Sequence, residues 1–350
     1  MRAVVAENRR LIVRDYSEPV PEAGEILVAV RACGICGSDL HTLAHGDEVA
    51  SLGEALGADT GFDPALPYVL GHEFCGEVLD AGAETFGFEA GDLVVSMPFL
   101  LRPSGLVPLG FANAAPGGYA ERMVLTGGIC LKVPNGLDHR RAALTEPMAV
   151  ALHAVNKSGI KQGDAAVIVG CGPIGLAMIP WLRLRGIEPI VAADFSAKRR
   201  ALALELGADL AVDPRDESVT DAWRRVDGAK ELVIFEAVGT PGMIDSVVSM
   251  APSRARLLIA GVCMPPDTFR PFVAIVKELS IQFVYCYDGD EFAATLRAIA
   301  EGEVVVDSLI TGTVGFDGVS EAFRLLGDPE DHVKILIEPG SGPEVLHVST

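Results

Sequence analysis

An uncharged apolar run, Ala165-Ala166-Val167-Ile168-Val169, stops at Gly170-Cys171-Gly172-Pro173-Ile174-Gly175 and gives way to a helical stretch reaching about Arg185. Glu188-Pro189-Ile190-Val191-Ala192-Ala193 then reads as a second short strand, closed by Asp194. Few folds accommodate this order. A GxGxxG turn between a buried strand and a helix lets the backbone approach a pyrophosphate held at the helix N-terminus. An acid about 20 residues further on takes the ribose hydroxyls. A lone GxGxxG is weak evidence, but flanked by strand, helix, strand and terminal Asp it points to a dinucleotide-binding unit. A glycine-rich turn between packed elements is the competing reading.

The pattern repeats downstream. Helices are expected over 198–206 and 243–250, and strands over 210–212, 231–238, 256–260 and 280–285. Six strands with intervening helices predict an α/β fold with a full doubly wound sheet. Arg199, near Asp194, and Val238-Gly239, which closes a strand, join Gly170, Gly172, Pro173, Ile174, Gly175 and Asp194 as expected cofactor contacts. Helical patterns over 290–301 and 318–326 and a strand over 333–337 finish the chain. The opening is different, because residues 1–32 alternate short apolar runs with turn signals, as hairpins do. A length of 350 residues suits two domains.

The second feature is Gly34-Ile35-Cys36-Gly37-Ser38-Asp39-Leu40-His41, which places a thiol, a hydroxyl, a carboxylate and an imidazole close together. Its two glycines and missing helical periodicity predict a loop. Gly71-His72-Glu73 and Leu144-Thr145-Glu146-Pro147 offer another imidazole and two carboxylates. Cys36, His72 and a Glu form a catalytic zinc set, with three protein ligands and a fourth position for substrate. Cys33 and Cys36 also read as a CxxC redox pair, but the glycines oppose the helix that such a pair needs.

Charge and cysteine content narrow the function. A formal net charge of -20 argues against nucleic acid or an anionic membrane as partner. The uncharged stretch 165–182 is broken by glycines and prolines, so it does not read as a membrane span. No basic segment precedes an apolar run at the N-terminus, so no signal peptide is expected. Seven scattered cysteines, an odd number, fit a reducing cytoplasm better than a disulfide framework.

The text from Gly71-His72-Glu73-Phe74-Cys75-Gly76 through Gly82 to Gly91-Asp92-Leu93-Val94, then Gly118-Tyr119-Ala120-Glu121 and Lys132-Val133-Pro134, resembles the zinc-dependent medium-chain alcohol dehydrogenases. The resemblance covers nearly the whole chain. It implies a discontinuous GroES-like β-rich catalytic domain, residues 1–150 and 286–350, around a Rossmann domain, residues 151–285. It matches Cys36, His72 and Glu146 to the zinc ligands, and a Glu before Pro resembles the sorbitol-dehydrogenase-like branch. Pro147 is expected at the first position of a helix over 148–157, leaving Glu146 near its cap. Glu73 is implied as a spare ligand or a residue behind the metal. Ser38 matches the hydroxyl that bonds the alcohol oxygen, His41 a proton relay, and Asp39 a partner that orients His72. The other histidines have no motif around them and read as structural or surface residues.

The reaction so implied moves a hydride between an alcohol and NAD, with one catalytic Zn2+ per chain. Asp194 favours NAD over NADP by repelling a 2′-phosphate. A homodimer or homotetramer is expected, through the exposed edge near 280–285. Two departures stand out. Residues 96–116 hold none of the cysteines that bind a second, structural zinc in relatives, and residues 46–70 read as an inserted surface excursion near the cleft. Val284 stands where the polyol enzymes carry an Arg, and Met97-Pro98-Phe99-Leu100-Leu101 is expected to line the cleft. Both favour a hydrophobic alcohol, secondary, cyclic or aryl, over the alternative of a sugar or polyol. A non-catalytic binding or structural protein reusing the fold is the reading from a different class, and a zinc-free quinone-reductase relative is another alternative.

Overall fold

In the computed structural model, which describes residues 1–55, 61–103, 105–328 and 330–347, six parallel strands form one sheet. Their spatial order is Leu210–Val212, Ile190–Ala193, Ala165–Val169, Leu232–Glu236, Arg256–Ile259 and Ser280–Phe283. The inner strands are buried throughout because helices cover both faces, which is why they read as unbroken apolar runs and not as alternating ones. Chain direction across the sheet reverses between Ala165–Val169 and Leu232–Glu236. A crevice opens there at the carboxyl ends, beside Gly170. The helix after the glycine turn runs Pro173–Leu184, with Gly172 as its cap.

Two helices of this unit were not legible as helices: Val219–Asp227 and Pro271–Val276. The first has strongly segregated faces, with Val219, Ala222 and Trp223 inward, but is rich in charge and short. The second is an apolar turn with no buried residue, and its pattern resembles a strand.

The other sheet draws on both ends of the chain. Its path is Leu346–His347, Ile310–Val314, Lys334–Ile337, Glu25–Gly34, Glu73–Asp80, Leu93–Ser96 and Cys130–Lys132, and Arg122–Thr126 also pairs with Glu25–Gly34. The hairpin Arg2–Glu7/Arg10–Asp15 is attached to it by a bridge from Ala3 to Ala120. Register fixes what meets at the top of this sheet. Gly34 lies opposite Glu73 on one side and Leu336 on the other, so Cys36, Glu73 and Lys334 converge.

Three expectations are corrected. Residues 37–41 are not a loop: helix Gly37–Ala55 begins directly after Cys36 and continues across a kink at His45. Cap chemistry explains this, since Asp39 accepts the orphan Cys36 N–H at 2.9 Å and so closes the first turn despite two glycines. The supposed excursion 46–70 is therefore helical to Ala55. Residues 56–60 lie outside the described residues, and Tyr68, Val69 and Leu70 are buried core. The third correction concerns Glu146, because its helix starts at Thr145 and ends at Lys157. Pro147 is its third residue, and Leu144 is the cap. This helix, which contains the expected boundary at residue 150, packs on both Pro173–Leu184 and Gly289–Ala300. No helix among the described residues is long and apolar enough to cross a membrane.

Candidate active site

Asp39 is the hub of the first domain's site. It has no exposed surface. One carboxylate oxygen, Oδ2, accepts the Cys36 N–H at 2.9 Å and the Tyr119 hydroxyl at 2.7 Å, while Oδ1 faces His72 Nδ1 at 3.3 Å. One buried acid thus fixes the backbone of the thiol residue and faces the ring of the imidazole, with no hydrogen bond formed between Oδ1 and Nδ1. Burial would raise the Asp39 pKa, but His72 and the hydrogen bonds together hold it below its usual value. Burial would lower that of His72, and Asp39 with Cys36 overrides this, raising it well above its usual value. With Nδ1 turned to Asp39, the other ring nitrogen, Nε2, faces the Ser38 hydroxyl at 3.4 Å. Phe111 packs against the ring, centroids 5.0 Å apart.

Glu73 completes a triple. The ligand-capable atoms of Cys36, His72 and Glu73 lie within 4.8 Å of one another. A thiol, an imidazole and a carboxylate within that span are the donor set that suits zinc, so the residues present fit the metal. Glu73 is also engaged from behind. Lys334 Nζ donates to its two oxygens at 2.7 and 2.6 Å and to the Ile35 carbonyl at 3.0 Å, with both side chains almost wholly buried. Burial alone would lower the Lys334 pKa, yet Glu73 and Cys36 raise it. Gly34 is needed here, since a Cβ at that position would stand 2.1 Å from Glu73 Oε2.

Glu146, half-buried at the start of its helix, lies outside that triple but beside it. Burial raises its pKa to about 7, with His72 pulling it down and Glu73 pushing it up. Tyr285 and Cys286 sit within electrostatic reach of both His72 and Glu146. Lys334, Tyr119 and Tyr287 were missed by sequence reasoning. Tyr119 lies in the quoted Gly118-Tyr119-Ala120-Glu121 motif, and Tyr287 stands just after Val284-Tyr285-Cys286, so position was the available signal.

His41 sits on the same helix as Ser38 and stacks on His45, centroids 4.8 Å apart. Its Nε2 is buried with no partner, and burial followed by His45 lowers its pKa. Leu100 does not line this site. It is 1% exposed in the core of the first domain, on the hairpin Phe99–Arg102/Gly105–Pro108, so it presents no surface to a substrate. The hairpin is tied down by Arg102, whose guanidinium donates to both Glu25 oxygens at 2.9 and 3.2 Å.

In the second domain the glycine turn has the shape a dinucleotide needs. A Cβ on Gly172 would meet nothing within 4 Å, so the space before the helix N-terminus is open. One on Gly175 would stand 1.9 Å from the Gly170 carbonyl oxygen, which makes that glycine obligatory for helix–strand contact. Pro173 and Ile174 form the first helical turn. Asp194 accepts the Cys171 N–H and the Ser196 N–H, each at 2.8 Å, holding its carboxylate at the rim of the turn. Arg199 Nε is buried without a partner. Across the crevice, Glu236 accepts the Val238 and Gly239 N–H groups at 2.7 and 2.9 Å and sets that loop.

Comparison with known proteins accords with this geometry. Residues 22–135 match the alcohol dehydrogenase GroES-like domain family and residues 173–301 match the zinc-binding dehydrogenase family. The chain is 33% identical to (R,R)-butanediol dehydrogenase of Bacillus subtilis, over 97% of this chain and 100% of the relative. It is 27% identical to sorbitol dehydrogenase of Gallus gallus, with 95% of each chain covered. Among solved structures, 2R,3R-butanediol dehydrogenase from Bacillus subtilis superposes with a TM-score of 0.82 at 31% identity, covering 97% of this chain and 99% of that one.

Proposed function

The chain belongs to the zinc-dependent medium-chain alcohol dehydrogenase family, and from that premise we propose that it oxidises a small secondary alcohol with a mostly apolar body to the ketone. It is an oxidoreductase acting on small-molecule alcohols with zinc and NAD. The observation that carries the substrate class is the wall around His72. Phe111 packs its ring on that histidine, an apolar face with no charge for sugar hydroxyls. An apolar body would gain about 25 cal/mol per Å2 buried there, while each unpaired polyol hydroxyl would cost roughly 1–3 kcal/mol. A small vicinal diol is the second reading. The butanediol and sorbitol dehydrogenase relatives favour it, as does Tyr285, which lies within electrostatic reach of His72. The comparison to run is kcat/KM for cyclohexanol, 2-butanol and 2,3-butanediol against sorbitol and xylitol. The apolar alcohols should win, and a clear polyol preference overturns the proposal.

Cys36 and His72 would hold the zinc, with Glu73, braced by Lys334, as the carboxylate within reach of both and Glu146 beside them as the other candidate ligand. Zinc supplies positive charge that eases ionisation of an alcohol, and NAD supplies the hydride acceptor. The chain's own residues do the rest. Asp39 keeps His72 in one tautomer and orientation. Ser38 Oγ, beside His72, accepts the alcohol proton and passes its own onward. His41, whose pKa is lowered by burial and by His45, takes a proton at Nε2. Gly170, Gly172 and Gly175 admit the pyrophosphate, Asp194 and Arg199 the adenosine ribose, and Val238-Gly239 the nicotinamide end.

The catalytic unit is 1–150 with 286–350 and the cofactor unit 151–285. We also read the protein as a cytoplasmic homodimer or homotetramer. Its seven cysteines are all free. Phe272, Ile275, Phe283 and Tyr285 are 75%, 70%, 64% and 83% exposed around the unpaired edge strand Ser280–Phe283. A monomer by light scattering at micromolar concentration would overturn the oligomer.

A further inference from the structure

Tyr287 has a hydroxyl that is shut off from solvent and has no hydrogen-bond partner. Leaving such a donor unpaired costs roughly 1–3 kcal/mol, so its retention asks for a reason. Its ring cannot turn away easily. It stacks on Phe292, centroids 5.4 Å apart and planes 20° apart, and Phe292 is 2% exposed. Phe292 belongs to helix Gly289–Ala300, which packs against helix Thr145–Lys157, the element that carries Glu146 in its first turn. The stack thus ties the phenol to a helix that packs on the one carrying Glu146. The pair stops short of a well-formed hydrogen bond, although the two groups act on each other. Burial and then the Glu146 carboxylate hold the phenol well above its usual pKa, and the phenol pulls Glu146 down.

We propose that Tyr287 is a positioning residue for Glu146, its hydroxyl donating to one carboxylate oxygen and so turning the other towards Cys36 and His72. This rests on the reading of Glu146 as a metal ligand. The structure supplies the reason for a brace. Glu73 is held by Lys334 through both oxygens, whereas no such salt bridge holds Glu146 among the described residues. A carboxylate that is to ligate reproducibly needs an outer partner, and losing one typically costs 10–100-fold in metal affinity or activity. Tyr287 is the donor that stands available.

The test is zinc affinity of the full chain, by competition with a chromophoric chelator, for Tyr287→Phe, Glu146→Gln and the double variant. Phenylalanine keeps the stack on Phe292 and removes only the hydroxyl. Tyr287→Phe should weaken zinc by about 10-fold and lower kcat/KM for alcohol with the NAD dissociation constant unchanged. The double variant should bind zinc no more weakly than Glu146→Gln alone, because a brace without its carboxylate has nothing to position. Phe292→Leu, which frees the ring but keeps the hydroxyl, should weaken zinc in the same direction. If Glu146→Gln weakens zinc while Tyr287→Phe and Phe292→Leu do not, or if the losses multiply in the double variant, the proposal is wrong. If Glu146→Gln itself leaves zinc affinity unchanged, the ligand reading fails and takes this proposal with it.

Discussion

Replacing Lys334 with Met removes a cation that is 2% exposed and leaves Glu73, 0% exposed, without its partner. Three contacts vanish together: those to Glu73 at 2.7 and 2.6 Å and the one to the Ile35 carbonyl at 3.0 Å. Breaking a buried pair from one side costs about 3–5 kcal/mol, most of it the penalty of an uncompensated charge and not the worth of the pair itself. Met is close in volume to Lys, so cavity formation adds little. The pair Glu73→Gln, Lys334→Met should therefore recover most of the loss, since no charge is left buried. The assay is urea unfolding of the zinc-stripped chain, followed by fluorescence. A second reading comes from zinc. Freed from Lys334, Glu73 is the carboxylate nearest Cys36 and His72, so added zinc should restore more stability to Lys334→Met than it adds to wild type. A Lys334→Met variant within about 0.5 kcal/mol of wild type, or a double variant no better than the single, would refute the account of this pair.

Asp194→Gly should narrow the preference for NAD over NADP in kcat/KM by at least tenfold, because a carboxylate held by the Cys171 and Ser196 N–H groups would lie against a 2′-phosphate. A wild-type preference for NADP would contradict this. Glu338, 7% exposed, is held down to about pKa 2: burial opposes the shift, and His139 and Arg140 outweigh it. A depressed acid stabilises the fold above its unfolded pKa and loses that stability as pH falls through its folded one. Wild type should therefore lose about 2–3 kcal/mol more than Glu338→Gln between pH ~4.5 and ~2. Parallel acid-unfolding curves for the two would count against it.

The cofactor half of the molecule was open to sequence reasoning because its signals are local. An apolar run buried on both faces, a glycine turn and a terminal Asp each report on their own backbone, and boundaries moved by a residue or two at most, with Met243–Met250 agreeing in full. The catalytic half was less open because its decisive contacts are non-local. Helix Gly37–Ala55 carries Gly37, Gly46 and several Ser, Thr and Asp, and has no apolar stripe. It forms through the Asp39 cap and contacts from other elements, as Tyr119 to Asp39. Lys334 looks like a surface lysine in a terminal strand until the register places it behind Glu73. The expected cleft wall at Leu100 failed for a similar reason, since an apolar residue after a strand says nothing about which cavity it faces. Cys36, His72 and both glutamates were visible because motifs flank them. The order in which Glu73 and Glu146 approach the thiol is a matter of tertiary register that no spacing encodes.

The central claim is a single catalytic zinc held by Cys36 and His72 in an NAD-dependent alcohol dehydrogenase. Elemental analysis of purified active enzyme, paired with Cys36→Ser, tests it most directly. One zinc per chain in the wild type is expected, with zinc and alcohol-dependent NAD reduction lost together in Cys36→Ser while NAD still binds. Two ions per chain, active enzyme containing none, or a Cys36→Ser variant with near wild-type turnover would contradict the account.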